Sequence, residues 1–196
     1  MSVVAHDHYD DDYIRGILAS VKTIAMVGAS ANPARPSYLV FKYLRERGYR
    51  IVPVNPGLVG QVLLGQQVVA SLGDIAEPVD MVDIFRAAPA ALQIVEETLK
   101  MRPRPRVVWM QLGVRNDEAA HLAEANGIAV VMNRCPKIEY GRLSSEISWL
   151  GVNSCTLSSR RAKRDERGVQ RLSLDRVTTA GGSLDADKCR NPSNWR

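Results

Sequence analysis

Five short apolar runs set the frame for everything else in this chain: "TIAMVGA" at 23–29, "RIVPVNP" at 50–56, "MVDIF" at 81–85, "RVVWMQLG" at 106–113 and "IAVVMN" at 128–133. Each is too short for a buried helix and rich in β-branched residues, as strands covered on both faces are. Amphipathic stretches alternate with them. "SYLVFKYLRERGY" places Leu39, Val40, Tyr43 and Leu44 on one stripe, with Pro36 and Ser37 as start signals and Gly48 as the stop. "APAALQIVEETLKM" has Pro89 in its first turn, and "NDEAAHLAEANG" opens on Asn116 with acids behind it and closes at Gly127. A short helix over Asp12–Val21 precedes the first run. Strand–helix alternation predicts an α/β, Rossmann-like doubly wound parallel sheet of about five strands in a single domain. The stretch from Gly57 to Pro78 is less regular, with a helical turn expected after Ser71.

Charge divides the chain. Residues 1–157 carry 16 Lys+Arg and 16 Asp+Glu, so the whole excess of +5 lies in residues 158–196, with 10 basic and 5 acidic residues. That segment is polar, Gly/Ser-bearing and too poor in apolar side chains to fold alone, with a short helix over Arg164–Leu174 as its one candidate element. The domain reading is therefore 1–160 for the folded body and 161–196 for a basic, disordered tail. The body is electrically neutral, which argues against nucleic acid as its partner. A homo-oligomer or a protein partner for the tail stays open.

The compartment is inferred from what the sequence lacks. No apolar run reaches transmembrane length, and "MSVVAHDHYDDDYIRG" has no basic region followed by an apolar one. Cys135, Cys155 and Cys189 are odd in number, scattered and without a C-x-x-C pair, which speaks against a disulfide framework and a structural zinc site. The expectation is a cytoplasmic protein with reduced thiols and no membrane contact. "HDHYDDD" at 6–12 has metal-ligand residue types on no rigid element, so it reads as a solvated lead-in.

Function concentrates in "VGASANPARPSYLVFKYL". In open parallel sheets, ligands bind at the carboxyl ends of the strands where the strand order reverses. The loop after the first strand lies there. Gly28 permits close backbone approach, and the following helix offers unpaired N–H groups and a positive dipole end. Ser30, Asn32 and Ser37 add neutral donors and Arg35 a cation, a set suited to phosphate. A tight strand-to-helix turn capped by Ser37 is the competing reading. The nucleotide is not obviously NAD: Ser30 and Pro33 replace the second and third glycines of G-x-G-x-x-G, and Asn55 and Pro56 stand where an acid would hold the ribose diol. A neutral strand end tolerates a ribose bearing a 3′-phosphate.

These residues, with "PVNP", "SLGDI", "VDIFR", "VW-Q-G" and "VVMNRCPKIEY", resemble the small stand-alone CoA-binding proteins, a family similar to the CoA-binding domain of the succinyl-CoA synthetase alpha subunit. The resemblance covers about residues 12–160. It implies a domain that binds coenzyme A or a short acyl-CoA across the strand ends. By position, Gly28, Ala29, Ser30, Arg35 and Ser37 would line the phosphate side. Val54, Asn55 and Pro56 would contact the nucleotide, and Phe85 and Arg86 the adenine and pantetheine side. It implies no ligase: the synthetase needs a second domain with a phosphorylated histidine and a nucleotide-binding partner subunit, and the body's one histidine beyond the N-terminus, His121, lies mid-helix. No Ser-His-Asp set or carboxylate pair assembles. An NAD(P)-binding redox sensor or oxidoreductase is the alternative. Gln111 and Asn133, at strand ends, are split between ligand contact and loop support. Cys135 follows a strand end beside Arg134 and Lys137, which could lower its pKa and let it form a mixed disulfide with coenzyme A. A small buried cysteine is the stronger expectation there.

Overall fold

The computed structural model describes residues 6–144, so the basic segment 161–196 lies outside the described residues. In chain order the strands are β1 (Thr23–Val27), β2 (Arg50–Val54), β3 (Val62–Leu63), β4 (Gln66–Gln67), β5 (Met81–Ile84), β6 (Val107–Met110) and β7 (Ala129–Val131). Five of them form one parallel sheet in the order β2-β1-β5-β6-β7. The other two, β3 and β4, pair as a small antiparallel hairpin. The five expected strands are thus present, and the order reverses between β1 and β5.

Helices cover both faces, as the continuous apolar strands require. They are α1 (Asp11–Ser20), α2 (Pro36–Glu46), α3 (Ala91–Lys100), α4 (Asp117–Ala125) and α5 (Pro136–Leu143). On one side α1, α2 and α5 pack Ile14, Phe41, Leu44 and Ile138 against Ile24, Met26, Ile51 and Trp109. On the other, α3 and α4 pack Ile94, Val95 and three alanines of α4 against Ala25, Val82, Val108 and Val130. The small side chains of α4 let it lie close to the sheet. Asp10 caps α1 through the amide of Asp12, and Asn116 caps α4 through the amide of Ala119. The 3-10 turn Leu72–Asp74 after Ser71 carries the reciprocal Ser71–Asp74 capping bonds, which is the turn the sequence pointed to.

Three features went unread in the sequence. Helix α5 was not expected, nor was the β3–β4 hairpin, whose turn places Leu64 and Gly65 at φ of 48° and 80°. The third lies in the N-terminal lead-in, where Asp7, His8, Asp10, Asp11 and Asp12 are exposed but two aromatic side chains are packed. His6 and Tyr9 are buried, and the Tyr9 hydroxyl accepts the amide of Met132 at 2.7 Å. It pairs with His6 Nδ1 at 2.8 Å, and Tyr13 donates to the Val130 carbonyl at 3.2 Å.

At the opposite end of the strands, Asp80 ties three of them together. Its carboxylate accepts the amides of Lys22 and Thr23 at 2.9 and 3.0 Å and pairs with Arg106 at 3.0 Å. Partial burial raises its pKa, but these bonds outweigh that and hold the carboxyl below the usual range. The strand starts are thereby tied together. No helix among the described residues is long and apolar enough to cross a membrane.

Candidate functional site

The loops leaving β1, β2 and β5 meet at the reversal point. Gly28 donates its N–H to the Val54 carbonyl at 2.9 Å, and Phe85 donates to the Val27 carbonyl at 2.8 Å. Gly28 has φ of +90°, and a Cβ there would sit 3.1 Å from Arg86 Cδ and 3.2 Å from the Phe85 carbonyl carbon and oxygen. Only glycine fits this close approach of two strand ends. Arg86 lays its aliphatic stem against the first loop, and its exposed guanidinium has no ion pair or hydrogen bond among the described residues.

The loop is built from nested turns. Ser30 Oγ accepts the Asn32 amide at 3.2 Å, Asn32 Oδ1 accepts the Ala34 amide at 2.9 Å, and Arg35 N–H donates to the Asn32 carbonyl at 3.0 Å. The Ser30 hydroxyl donates no hydrogen bond among the described residues. Arg35 is the N-cap of α2, with no side-chain capping bond, and Pro36 is the first helical residue. Ser37 therefore lies inside the first turn and is not the cap that the competing reading assigned. It is 5% exposed, and its hydroxyl forms no hydrogen bond among the described residues. The Arg35 guanidinium is likewise exposed and unpaired among them, and Lys42 lies further along the helix.

Asn55 clamps the two loops. Its Nδ2 donates to the Ala29 carbonyl at 2.7 Å and its Oδ1 accepts the Gly57 amide at 2.9 Å. Its own N–H goes to the Val69 carbonyl at 2.9 Å. Any ligand contact from Asn55 uses its second amide proton or second lone pair. Ala29 and Val54 are buried, so they reach the site through their main chains alone, while Pro56 starts an exposed 3-10 turn. The structure thus brings Gly28, Ser30, Arg35, Ser37, Asn55, Pro56, Phe85 and Arg86 to one edge, with Ala29 and Val54 as framework.

Elsewhere along that edge, polar residues serve the protein itself. Asn133, at φ of 53°, accepts the Gly113 amide on Oδ1 at 2.8 Å, which makes it loop support. Gln111 Nε2 donates to both oxygens of Asp83, at 2.9 and 3.1 Å. Cys135 is buried at the N-cap of α5. Burial pushes its thiol up to about 11, against the smaller opposing effects of the Ile138 and Lys137 amides and the Lys137 charge. The small buried cysteine, the stronger expectation at this position, is what the structure shows, and the lowering that Lys137 supplies is outweighed by burial. Arg134 is turned to the Asn133 carbonyl, Glu139 and the Tyr9 ring instead. His121 is exposed on α4. Among the described residues no group of three His, Cys, Asp or Glu could hold a metal ion.

One residue escaped the sequence reading. Asp83 stands in β5 with no exposure, and burial raises its carboxyl to about 8 against the weaker opposing pull of Gln111. Its signal was an acid inside the apolar run "MVDIF".

Comparison with known proteins gives this chain a family. A family model described as CoA binding domain matches residues 22–141. An uncharacterized protein of Bacillus subtilis, YneT, is 37% identical over 127 residues, which make up 65% of this chain and 91% of that protein. A structure from Thermus thermophilus, cell-free ID.343, is 44% identical with a TM-score of 0.65, covering 69% of this chain and 99% of its own. A hypothetical protein from Pyrococcus horikoshii OT3 is 36% identical with a TM-score of 0.66, covering 74% of this chain and 99% of its own. The chain belongs to the CoA binding domain family.

Proposed function

We propose that this protein binds coenzyme A or a short acyl-CoA at the Gly28–Ser37 loop, as a cytoplasmic binding protein with no ligase activity of its own. The observation that carries the reading is the unsatisfied state of the loop. The first turn of α2 has no capping side chain, the Ser37 hydroxyl forms no hydrogen bond among the described residues, and Arg35 and Arg86 have no counter-ion among them. Backbone N–H groups and the helix dipole would take the pyrophosphate, with the two guanidiniums at its flanks. The neutral Asn55 at the end of β2 repels no 3′-phosphate. Residues 1–160 form the binding domain in this reading, and 161–196 a basic tail able to contact a protein partner.

A thermal-shift series with coenzyme A, dephospho-CoA, NAD and NADH on nucleotide-free protein tests it. A ligand at about 100 times its Kd adds roughly 2.7 kcal/mol of stability, a Tm rise of about 5–10 °C for a protein of this size. The expected result is a shift with coenzyme A and a smaller one with dephospho-CoA. A shift with NADH and none with coenzyme A would overturn the reading in favour of a redox role.

A further inference from the structure

Asp83 is an unusual residue for its place. It pairs in register with Met26 of β1 and Trp109 of β6, so it sits in the middle of the sheet. Its neighbours Met26 and Trp109 are fully buried. Among the described residues, its carboxyl has one hydrogen-bond donor, the Gln111 side-chain amide. The groups facing it are Met26 from β1, Trp109 and Gln111 from β6 and the loop after it, and Cys135 from the start of α5. The thiol is itself held neutral by burial. No charged side chain among the described residues acts on the Asp83 carboxyl. An ionised carboxylate there would be buried without a counter-ion, which proteins avoid by keeping the proton.

Asp83 also stands directly behind one of the three loops of the site. Ile84 ends β5, and Phe85 and Arg86 then cross Gly28. Gln111 is bonded to the same strand end, its N–H donating to the Ile84 carbonyl at 3.3 Å. The fully buried carboxyl therefore belongs to a residue two positions before Phe85, whose carbonyl lies against Gly28, and a charge so buried is weakly screened. A phosphate above and a carboxylate below would repel, whereas a phosphate and a neutral acid would not.

We propose that Asp83 makes capture of the anionic ligand proton-dependent, the ligand being held while Asp83 keeps its proton and released as it ionises. This rests on the coenzyme reading. It makes Asp83 a positioning residue that touches no ligand and acts through charge alone, with Gln111 setting where the transition falls.

The test is calorimetric titration with coenzyme A of the wild-type chain, Asp83→Asn and Gln111→Leu at several values from pH 6 to pH 9, each in two buffers of different protonation enthalpy. The ligand's own ionisation is common to all three proteins. For the wild type, affinity is expected to fall at least tenfold across the range, with net proton uptake on binding at the alkaline end. Asp83→Asn should lose less than threefold and take up correspondingly fewer protons. Gln111→Leu removes the bond that favours the ionised form, so its fall should move to higher pH. Parallel curves for the wild type and Asp83→Asn would overturn the proposal and leave the coenzyme reading standing. No binding by any of the three at any pH would overturn both.

Discussion

Replacing Asp83 by asparagine keeps the side chain's shape and removes its titration, so the energy stored in that proton becomes measurable. In the folded protein the carboxyl titrates at about 8, against an ordinary 3.8. Between those values the native state holds a proton that the unfolded chain has released. Stability is therefore fully present below the lower value and is lost as pH rises through the upper one. Each unit is worth about 1.36 kcal/mol, so the wild type loses about 4 kcal/mol between pH 4 and pH 7. The substituted amide does not titrate, but its extra N–H lacks an acceptor, at a cost of about 1–3 kcal/mol at every pH. Asp83→Asn should thus be the less stable protein near pH 4 and the more stable one at pH 7, by about 1–3 kcal/mol each way. Urea denaturation of both proteins at pH 4, 5, 6 and 7 reads the difference directly. A difference that stays constant with pH would refute the assignment of a buried, proton-holding acid.

Other residues give sharper local readings. Arg35→Ala should weaken coenzyme A binding by about 1–3 kcal/mol if its charge-assisted bond forms, and unchanged affinity in calorimetry would remove Arg35 from the site. Gly28→Ala forces a Cβ into the Phe85 carbonyl at φ of +90°; a loss of about 2–4 kcal/mol is expected from strain and displacement, read as a lower urea midpoint together with weaker binding. Tyr9→Phe leaves the buried Met132 amide and His6 Nδ1 without their partner and should cost about 1–3 kcal/mol while leaving coenzyme A affinity within twofold.

The parts of this fold that announced themselves are those decided by local pattern. A strand buried on both faces is apolar almost throughout, with Asp83 of β5 the exception, so β1, β5, β6 and β7 were legible as runs. Gly28 was legible because a strand end followed by a helix has few other uses for glycine. The boundary of α2 was less so: Ser37 looked like a cap, but Pro36 takes the first helical position and passes the N-cap to Arg35, which has no side chain suited to it. Features that stayed hidden depend on distant partners. Tyr9 meets Met132 across 123 residues, and no local signal marks His6 and Tyr9 within "HDHYDDD" as packed. The octapeptide "PKIEYGRL" of α5 buries few of its side chains, with Pro136, Glu139 and Gly141 the buried ones, so its stripe is too weak to read. Asn55 was read correctly as a neutral strand end, yet its bonds to Ala29 and Gly57 come from loop geometry that composition does not reveal.

The two N-terminal tyrosines have a consequence for how copies of this chain can associate. β7 is the last strand of an open sheet, and its outer margin would otherwise be a free ladder of hydrogen-bonding groups, a template for another polypeptide. Met132 N–H and Val130 C=O lie two residues apart on that margin, where an added strand would dock, and phenol hydroxyls already occupy both. The segment around Tyr9–Tyr13 works as a stopper: it ends the sheet chemically without extending it. Sheet growth from one molecule to the next is closed on this side, so self-association here has to use side-chain surfaces. A chain shortened past Tyr13 would regain a sticky margin and should form strand-sharing aggregates that the intact chain avoids.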